Sequence, residues 1–136
     1  MGLLFKIMTE FNCELHAWAV MANHYHVIVS TMETSAPFSK LFGKLHTLSA
    51  KELNAVDNKP GRKVWHQYWD SKITFEKSYY ARLNYVNMNP AHHGVTQNVD
   101  AYPWCSSFWF KKEYPASYCQ TIENFKFDLL DIKDDF

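Results

Sequence analysis

His24 and His26 flank a single residue, Tyr25, and lead into Val27-Ile28-Val29. The β-branched residues favour an extended backbone. In a strand, alternate side chains share a face, so both imidazoles point the same way with Cα atoms about 6–7 Å apart. Two neutral imidazoles at that spacing can share one metal ion. They need further ligands, a nucleophile and a substrate surface from elsewhere in the chain. Tyr85 and Asn89 are four residues apart, so on a helix they lie on one face. Asn89 offers an amide oxygen, and Tyr85 a phenol that can act as a covalent nucleophile. The phenol, with an ordinary pKa of about 10, needs activation at neutral pH. Two imidazoles, one amide oxygen and open positions suit Mg²⁺ or Mn²⁺ better than a closed zinc cage. Such an ion can polarise a scissile phosphate.

The same residues have plainer readings. A His-x-His pair also arises by chance, a helical tyrosine packs in a core, and Asn before Pro is a helix stop. Tyr79 and Tyr80 compete with Tyr85 for the nucleophile role, but only Tyr85 has an oxygen ligand one turn on. His92 and His93 are alternative ligands that a helix end would leave exposed. His16 reads as structural, while His46 and His66 carry no signal.

The elements that must position these residues follow from periodicity. Residues 3–11 repeat apolar positions at helical spacing. Residues 14–20 and 24–30 read as two strands of an antiparallel hairpin, with the histidines at the start of the second. Ser35 can cap a helix with Pro37 in its first turn and an apolar stripe from Phe38 through Leu53. Residues 57–61 form a turn, and 64–70 an aromatic strand or extended segment. A further helix spans about 76–89, ended by Pro90. Residues 106–110 form a last packing segment, and 125–130 a short apolar element. The expected fold class is α/β, with a mainly antiparallel sheet and helices packed on it.

At 136 residues the chain suits one domain with a real core. Aromatics make up 17% of it, which argues against disorder. No apolar run is long enough to cross a membrane, and the start has no leader-like pattern. Gly2 hints at myristoylation, but Lys6 occupies the position that would need Ser or Thr. Cys13, Cys105 and Cys119 form no CxxC pair and suit a reduced, cytoplasmic protein. Net charge is zero, yet residues 40–82 carry about +5 and residues 113–136 about −4. A basic middle is compatible with a phosphate-binding face, and equally with ordinary solvated clustering.

Four blocks in order carry a family resemblance. The run from Glu14 to His26 resembles the HUH segment of single-tyrosine transposases, most closely the REP-associated tyrosine transposases. Residues 64–70 resemble their Trp-Gln…Tyr-Asp segment, and residues 84–94 their tyrosine helix ending in Asn-Pro and a Gly. Residues 100–107 resemble their Tyr-Pro-Trp-Ser-Ser close. The resemblance implies a ferredoxin-like fold over residues 1–112, followed by an acidic tail at 113–136. It implies metal ligands at His24, His26 and Asn89, with Mg²⁺ or Mn²⁺. Tyr85 is then the nucleophile that cleaves single-stranded DNA beside a hairpin through a 5′-phosphotyrosine. Lys40, Lys44, Arg62, Lys63 and Arg82 are candidate DNA-backbone contacts. Trp65, with Tyr68 and Trp69, is a candidate for stacking on bases. A homodimer is compatible with this reading.

Two departures from the family pattern are small: Tyr25 where an aliphatic is usual, and Ala22 where Pro is usual. The third concerns the start, since family members carry a strand and most of a helix ahead of the point where this sequence begins. The expected sheet therefore lacks its first strand, and the histidine strand has a vacant edge that residues 125–132 or a partner chain could fill. The competing functions are a non-catalytic remnant that binds structured single-stranded DNA or RNA, and a small metal-dependent hydrolase.

Overall fold

The computed structural model describes residues 1–32, 38–127 and 130. Apolar residues at helical spacing form α1, Gly2–Glu10, which buries Leu4, Ile7 and Met8. Asn12 then takes a left-handed conformation, φ 52°, and the chain enters β1, Cys13–Val20. A short turn, closed by Met21 N–H donating to the His24 carbonyl at 2.9 Å, leads to β2, Tyr25–Thr31. The strands pair as an antiparallel hairpin. Then follow α2 (Phe38–Val56), α3 (Glu76–His92), a 3-10 turn (Val99–Ala101), α4 (Ser107–Glu113) and α5 (Ala116–Glu123). The chain divides into two compact units, Met1–Glu14 with Ser30–Asp70, and Leu15–Val29 with Ser71–Phe136.

In the first unit α2 buries Leu41, Phe42 and Leu45 from the expected stripe, and Lys44 pairs with Glu10 of α1. Ser35 and Pro37, the expected helix start, lie outside the described residues. Asn58 and Gly61, both at positive φ, make the expected turn. The extended segment 64–70 forms no strand. Two of its aromatic rings, Trp65 and Tyr68, lie against α2. Trp65 Nε1 donates to Ser49 Oγ at 2.9 Å, and the Trp65 ring stacks on His46 at 4.8 Å. Tyr68 packs on Phe42 at 5.6 Å.

The second unit holds the hairpin and α3. Ala17, Ala19, Ile28, Leu83, Val86 and Cys105 lie in one buried cluster. Among the described residues the sheet has two antiparallel strands, consistent with the expected sheet that lacks its first strand. The free edge of β1 is instead met by a short backbone stretch. Ser106 N–H donates to the Trp18 carbonyl at 2.8 Å, and Val20 N–H to the Trp104 carbonyl at 2.9 Å. A buried side-chain network reinforces that seam. Trp18 N–H donates to Ser106 Oγ at 3.0 Å, and Ser106 Oγ donates to Asn87 Oδ1 of α3 at 2.6 Å.

Pro90 was expected to end α3, but the helix runs on to His92. Proline lacks the N–H that would reach the Val86 carbonyl four residues back. The Cys105 thiol takes up that region, 3.8 Å from the Val86 carbonyl and 3.4 Å from that of Asn87. The helix closes one turn later. Gly94, φ 67°, donates to Ala91 at 2.9 Å and Val95 N–H donates to Pro90 at 2.8 Å. This is the paired-bond Schellman ending that favours glycine.

The acidic stretch after Glu113 contributes α5, which buries Cys119 and Ile122. Lys111 of α4 pairs with Asp100 at 2.9 Å and with Glu123 of α5 at 3.3 Å. Of the apolar element expected near 125–130, residues 125–127 and 130 form neither helix nor strand, and the rest lies outside the described residues.

Ser106→Ala removes a buried hydroxyl that serves two partners and should cost about 1–3 kcal/mol, read from the urea midpoint. Asp100 supplies a pH signature. Burial raises its pKa, but hydrogen bonds from Ser107 and Lys111 outweigh this and hold it below the ordinary value. A depressed carboxyl adds stability above its unfolded pKa and loses it as pH falls through the folded value. Asp100→Asn should therefore lower the melting temperature at pH 7 and flatten its fall towards pH 3; parallel melting-temperature curves would count against this.

Candidate active site

The turn and strand together aim the histidines. β2 begins at Tyr25, so His24 is the last residue of the turn and His26 lies in the strand. The two rings share a side, centroids 5.2 Å apart and planes at 80°. His24 is buried, and its Nδ1 is 2.8 Å from Asn23 Oδ1. An amide oxygen can only accept, so Nδ1 is the donor, and in the neutral ring the lone pair is then on Nε2. That is the tautomer in which a histidine ligates through Nε2 while its other nitrogen is oriented by a hydrogen bond. Sequence reasoning assigned Asn23 no role, although an amide next to a ligand candidate was a readable signal.

α3 supplies the opposite wall. Tyr85, Asn89 and His93 follow at intervals of four, along one stripe. Tyr85 meets His26 edge to face, centroids 5.3 Å apart and planes at 83°. One end further on, His93 meets His24 at 4.9 Å and 67°. Asn89 lies between these two contacts and is 0% exposed. Tyr85, 5% exposed, also packs against His92 at 6.2 Å and Phe127 at 5.6 Å. Tyr85 Oη is a buried atom with hydrogen-bonding capacity in reserve.

The tyrosines separate by environment. Tyr79 Oη lies 2.9 Å from His16 Nδ1. Tyr80 donates to Glu76 at 2.6 Å, and that bond, followed by burial and the Glu76 charge, pushes its pKa up to about 12. A phenol so stabilised in its neutral form is a poor nucleophile at neutral pH. Tyr85 is the one of the three whose ring lies against the histidine pair.

His92 and His93 are exposed, as a helix end predicted, yet both rings reach this cluster. Burial, then the charges of His92 and His26, lower the His93 pKa and favour its neutral form. Among the described residues no three His, Cys, Asp or Glu are grouped to hold a metal. The predicted set is two histidines and an amide. Its donor chemistry fits a divalent ion: Nε2 of His24 presents a lone pair, and the asparagine oxygen is a hard donor.

The candidate DNA contacts fall in both units. Lys40 and Lys63 are exposed. Lys44 pairs with Glu10, and Arg62 with Asp57 at 2.6 Å. Arg82, in the second unit, donates to Ser78 at 2.6 Å. Trp65 is half-buried and stacked on His46, so one of its ring faces is already used.

A family profile described as "Transposase IS200 like" matches residues 2–89. The chain belongs to that family. The match spans His24, His26, Tyr85 and Asn89 together. The REP-associated tyrosine transposase of Escherichia coli (strain K12) is 22% identical to this IS200-like protein over 128 residues, covering 90% of this chain and 72% of that one. A solved structure of a REP-associated tyrosine transposase bound to a REP hairpin aligns with TM-score 0.67 and 22% identity. It covers 84% of this chain and 67% of the other, and shows that the two share a fold. No helix among the described residues is long and apolar enough to cross a membrane.

Asn23→Ala removes the acceptor at His24 Nδ1. Long-range ¹H–¹⁵N spectra of the imidazoles should then show His24 moving from one tautomer to a mixture. An unchanged His24 pattern would mean that other groups hold the ring.

Proposed function

We propose that this IS200-like protein cleaves and rejoins single-stranded DNA at a hairpin through Tyr85, with His24, His26 and Asn89 holding Mg²⁺ or Mn²⁺. The observation that carries the reading is the contact of the Tyr85 ring with His26, beside a phenol oxygen not spent on a structural hydrogen bond. The hairpin substrate is suggested by the solved relative, which is bound to one.

Tyr85 Oη gives up its proton and attacks phosphorus to form the Oη–P bond. The P–O3′ bond breaks, and the departing 3′ oxygen takes up a proton to leave a free 3′-hydroxyl. The 5′ end stays on Tyr85 as a phosphotyrosine. A 3′-hydroxyl then attacks the same phosphorus, restores a phosphodiester and returns the phenol. The energy of the cut bond is kept in the tyrosine link, so no ATP is needed. A bound divalent ion would polarise the phosphate and offset charge on the leaving oxygen. Asn23 orients the His24 ring, and the edge contact of His26 holds the Tyr85 ring at a fixed angle.

Incubation with a single-stranded hairpin oligonucleotide and Mn²⁺ should give a covalent adduct that survives denaturing electrophoresis. Tyr85→Phe should abolish it, Tyr80→Phe should retain it, and His24→Ala should reduce it at least about tenfold. Binding without an adduct would favour a non-catalytic nucleic-acid binder. Cleavage that survives Tyr85→Phe but is lost in His24→Ala would favour a hydrolase with water as nucleophile.

A further inference from the structure

We propose that Arg82 grips the scissile phosphate, holding a non-bridging oxygen while Tyr85 attacks phosphorus. The inference rests on the nucleophile assigned in the proposed function, and it gives one general backbone-contact candidate a defined catalytic role.

Position on α3 comes first. Ser78, Arg82, Tyr85 and Asn89 follow at intervals of four, three and four residues, which makes one stripe of a helix. Along the axis Arg82 stands about 4.5 Å before Tyr85, and Asn89 about 6 Å after it. The nucleophile is therefore flanked by a cation on one side and by the proposed ligand Asn89 on the other. Helical side chains lean towards the N-terminus, which brings the Tyr85 ring over the turn that carries Arg82. All four residues belong to the second unit, as do His24 and His26.

The bonding of Arg82 points to an anion. The sequence has two arginines. Arg62 is paired with Asp57 at 2.6 Å. Arg82 instead donates through Nη1 to the neutral Ser78 hydroxyl at 2.6 Å, and among the described residues no carboxylate pairs with it. It is half-buried, with buried Ala81 and Leu83 on either side in the chain. A guanidinium drawn partly out of water without a counter-charge favours an anionic partner. The Ser78 bond uses one of five N–H groups and directs the side chain along the helix. The edge formed by Nε and Nη2 can take phosphate oxygens with that bond in place.

The chemistry needs such a group. Attack by Tyr85 Oη crowds negative charge onto the non-bridging oxygens before O3′ leaves. The residues proposed as ligands, His24, His26 and Asn89, are two imidazoles and an amide and bring no negative or positive charge as neutral groups. Arg82 supplies a fixed positive charge, and its planar fork orients the phosphate towards Oη. Lysine is a point charge and does not impose that orientation.

The test measures adduct formation in single turnovers of the full chain, with Mn²⁺ and a saturating single-stranded hairpin oligonucleotide. Arg82→Ala should slow it about a hundredfold at an unchanged melting temperature. Arg82→Lys should recover no more than about tenfold of that loss. Guanidinium ion added to Arg82→Ala should restore part of the rate. Weaker binding with an unchanged rate at saturating DNA would make Arg82 an ordinary backbone contact and overturn the assignment. A slower rate that guanidinium leaves untouched, together with a lower melting temperature, would reduce it to a packing role. Adduct formed equally well by Arg82→Ala sinks this inference alone. No adduct from the unmodified protein sinks the proposed function, and this inference with it.

Discussion

One buried hydroxyl governs the relation of α3 to the hairpin. Ser106 Oγ accepts from the β1 backbone at Trp18 and donates to Asn87 on α3. A buried hydroxyl has a single proton and few alternative partners, so its two bonds select one placement of helix against strand. Asn87 lies between Tyr85 and Asn89 in sequence, on a different side of the helix from both. Fixing Asn87 towards β1 thereby turns the Tyr85–Asn89 stripe to where Tyr85 meets His26. Apolar packing of Ala17, Ala19, Leu83 and Val86 supplies the bulk of the contact. It does not by itself choose a rotation.

A second constraint sets how far α3 extends. Proline inside a helix normally costs a hydrogen bond and a kink. Here the uncovered carbonyl region faces the Cys105 thiol, from the same short stretch that pairs with β1. The segment 104–106 therefore edges the sheet, supports the helix through its proline and orients it through Ser106. One more turn of α3 is the result, and it carries His93 back to His24 and His92 against Tyr85. Glycine at position 94 completes the turn, since its positive φ lets Val95 reach the Pro90 carbonyl.

The first unit follows a different logic. Its aromatic segment lies against α2 by ring stacking and one indole hydrogen bond. The basic residues singled out there are partly neutralised by near neighbours, Lys44 by Glu10 and Arg62 by Asp57. Exposed ion pairs of this kind contribute little to stability and exchange partners readily.

Local signals were sufficient for much of this chain. The helical repeat of α1, the alternation in β1, the α2 stripe and the turn at Asn58–Gly61 all depend on neighbours a few residues away. So do the shared face of His24 and His26 and the shared stripe of Tyr85 and Asn89. The ordered blocks that resemble single-tyrosine transposases were legible for the same reason, and the match over residues 2–89 establishes that family membership. What the sequence could not decide depended on residues far apart in the chain. Segment 64–70 had strand-like composition but found ring partners on α2 in place of a ladder. Pro90 read as a stop because its compensation comes from Cys105, fifteen positions on. The sequence preferred Tyr85 to Tyr79 and Tyr80 only by the asparagine one turn on and by resemblance; in the structure Glu76 and His16 engage the other two and His26 meets Tyr85. By its own pattern the sequence determined which side chains could do the chemistry. Only the tertiary structure decided which of them meet, because the bonds that rotate and extend α3 join residues remote in sequence.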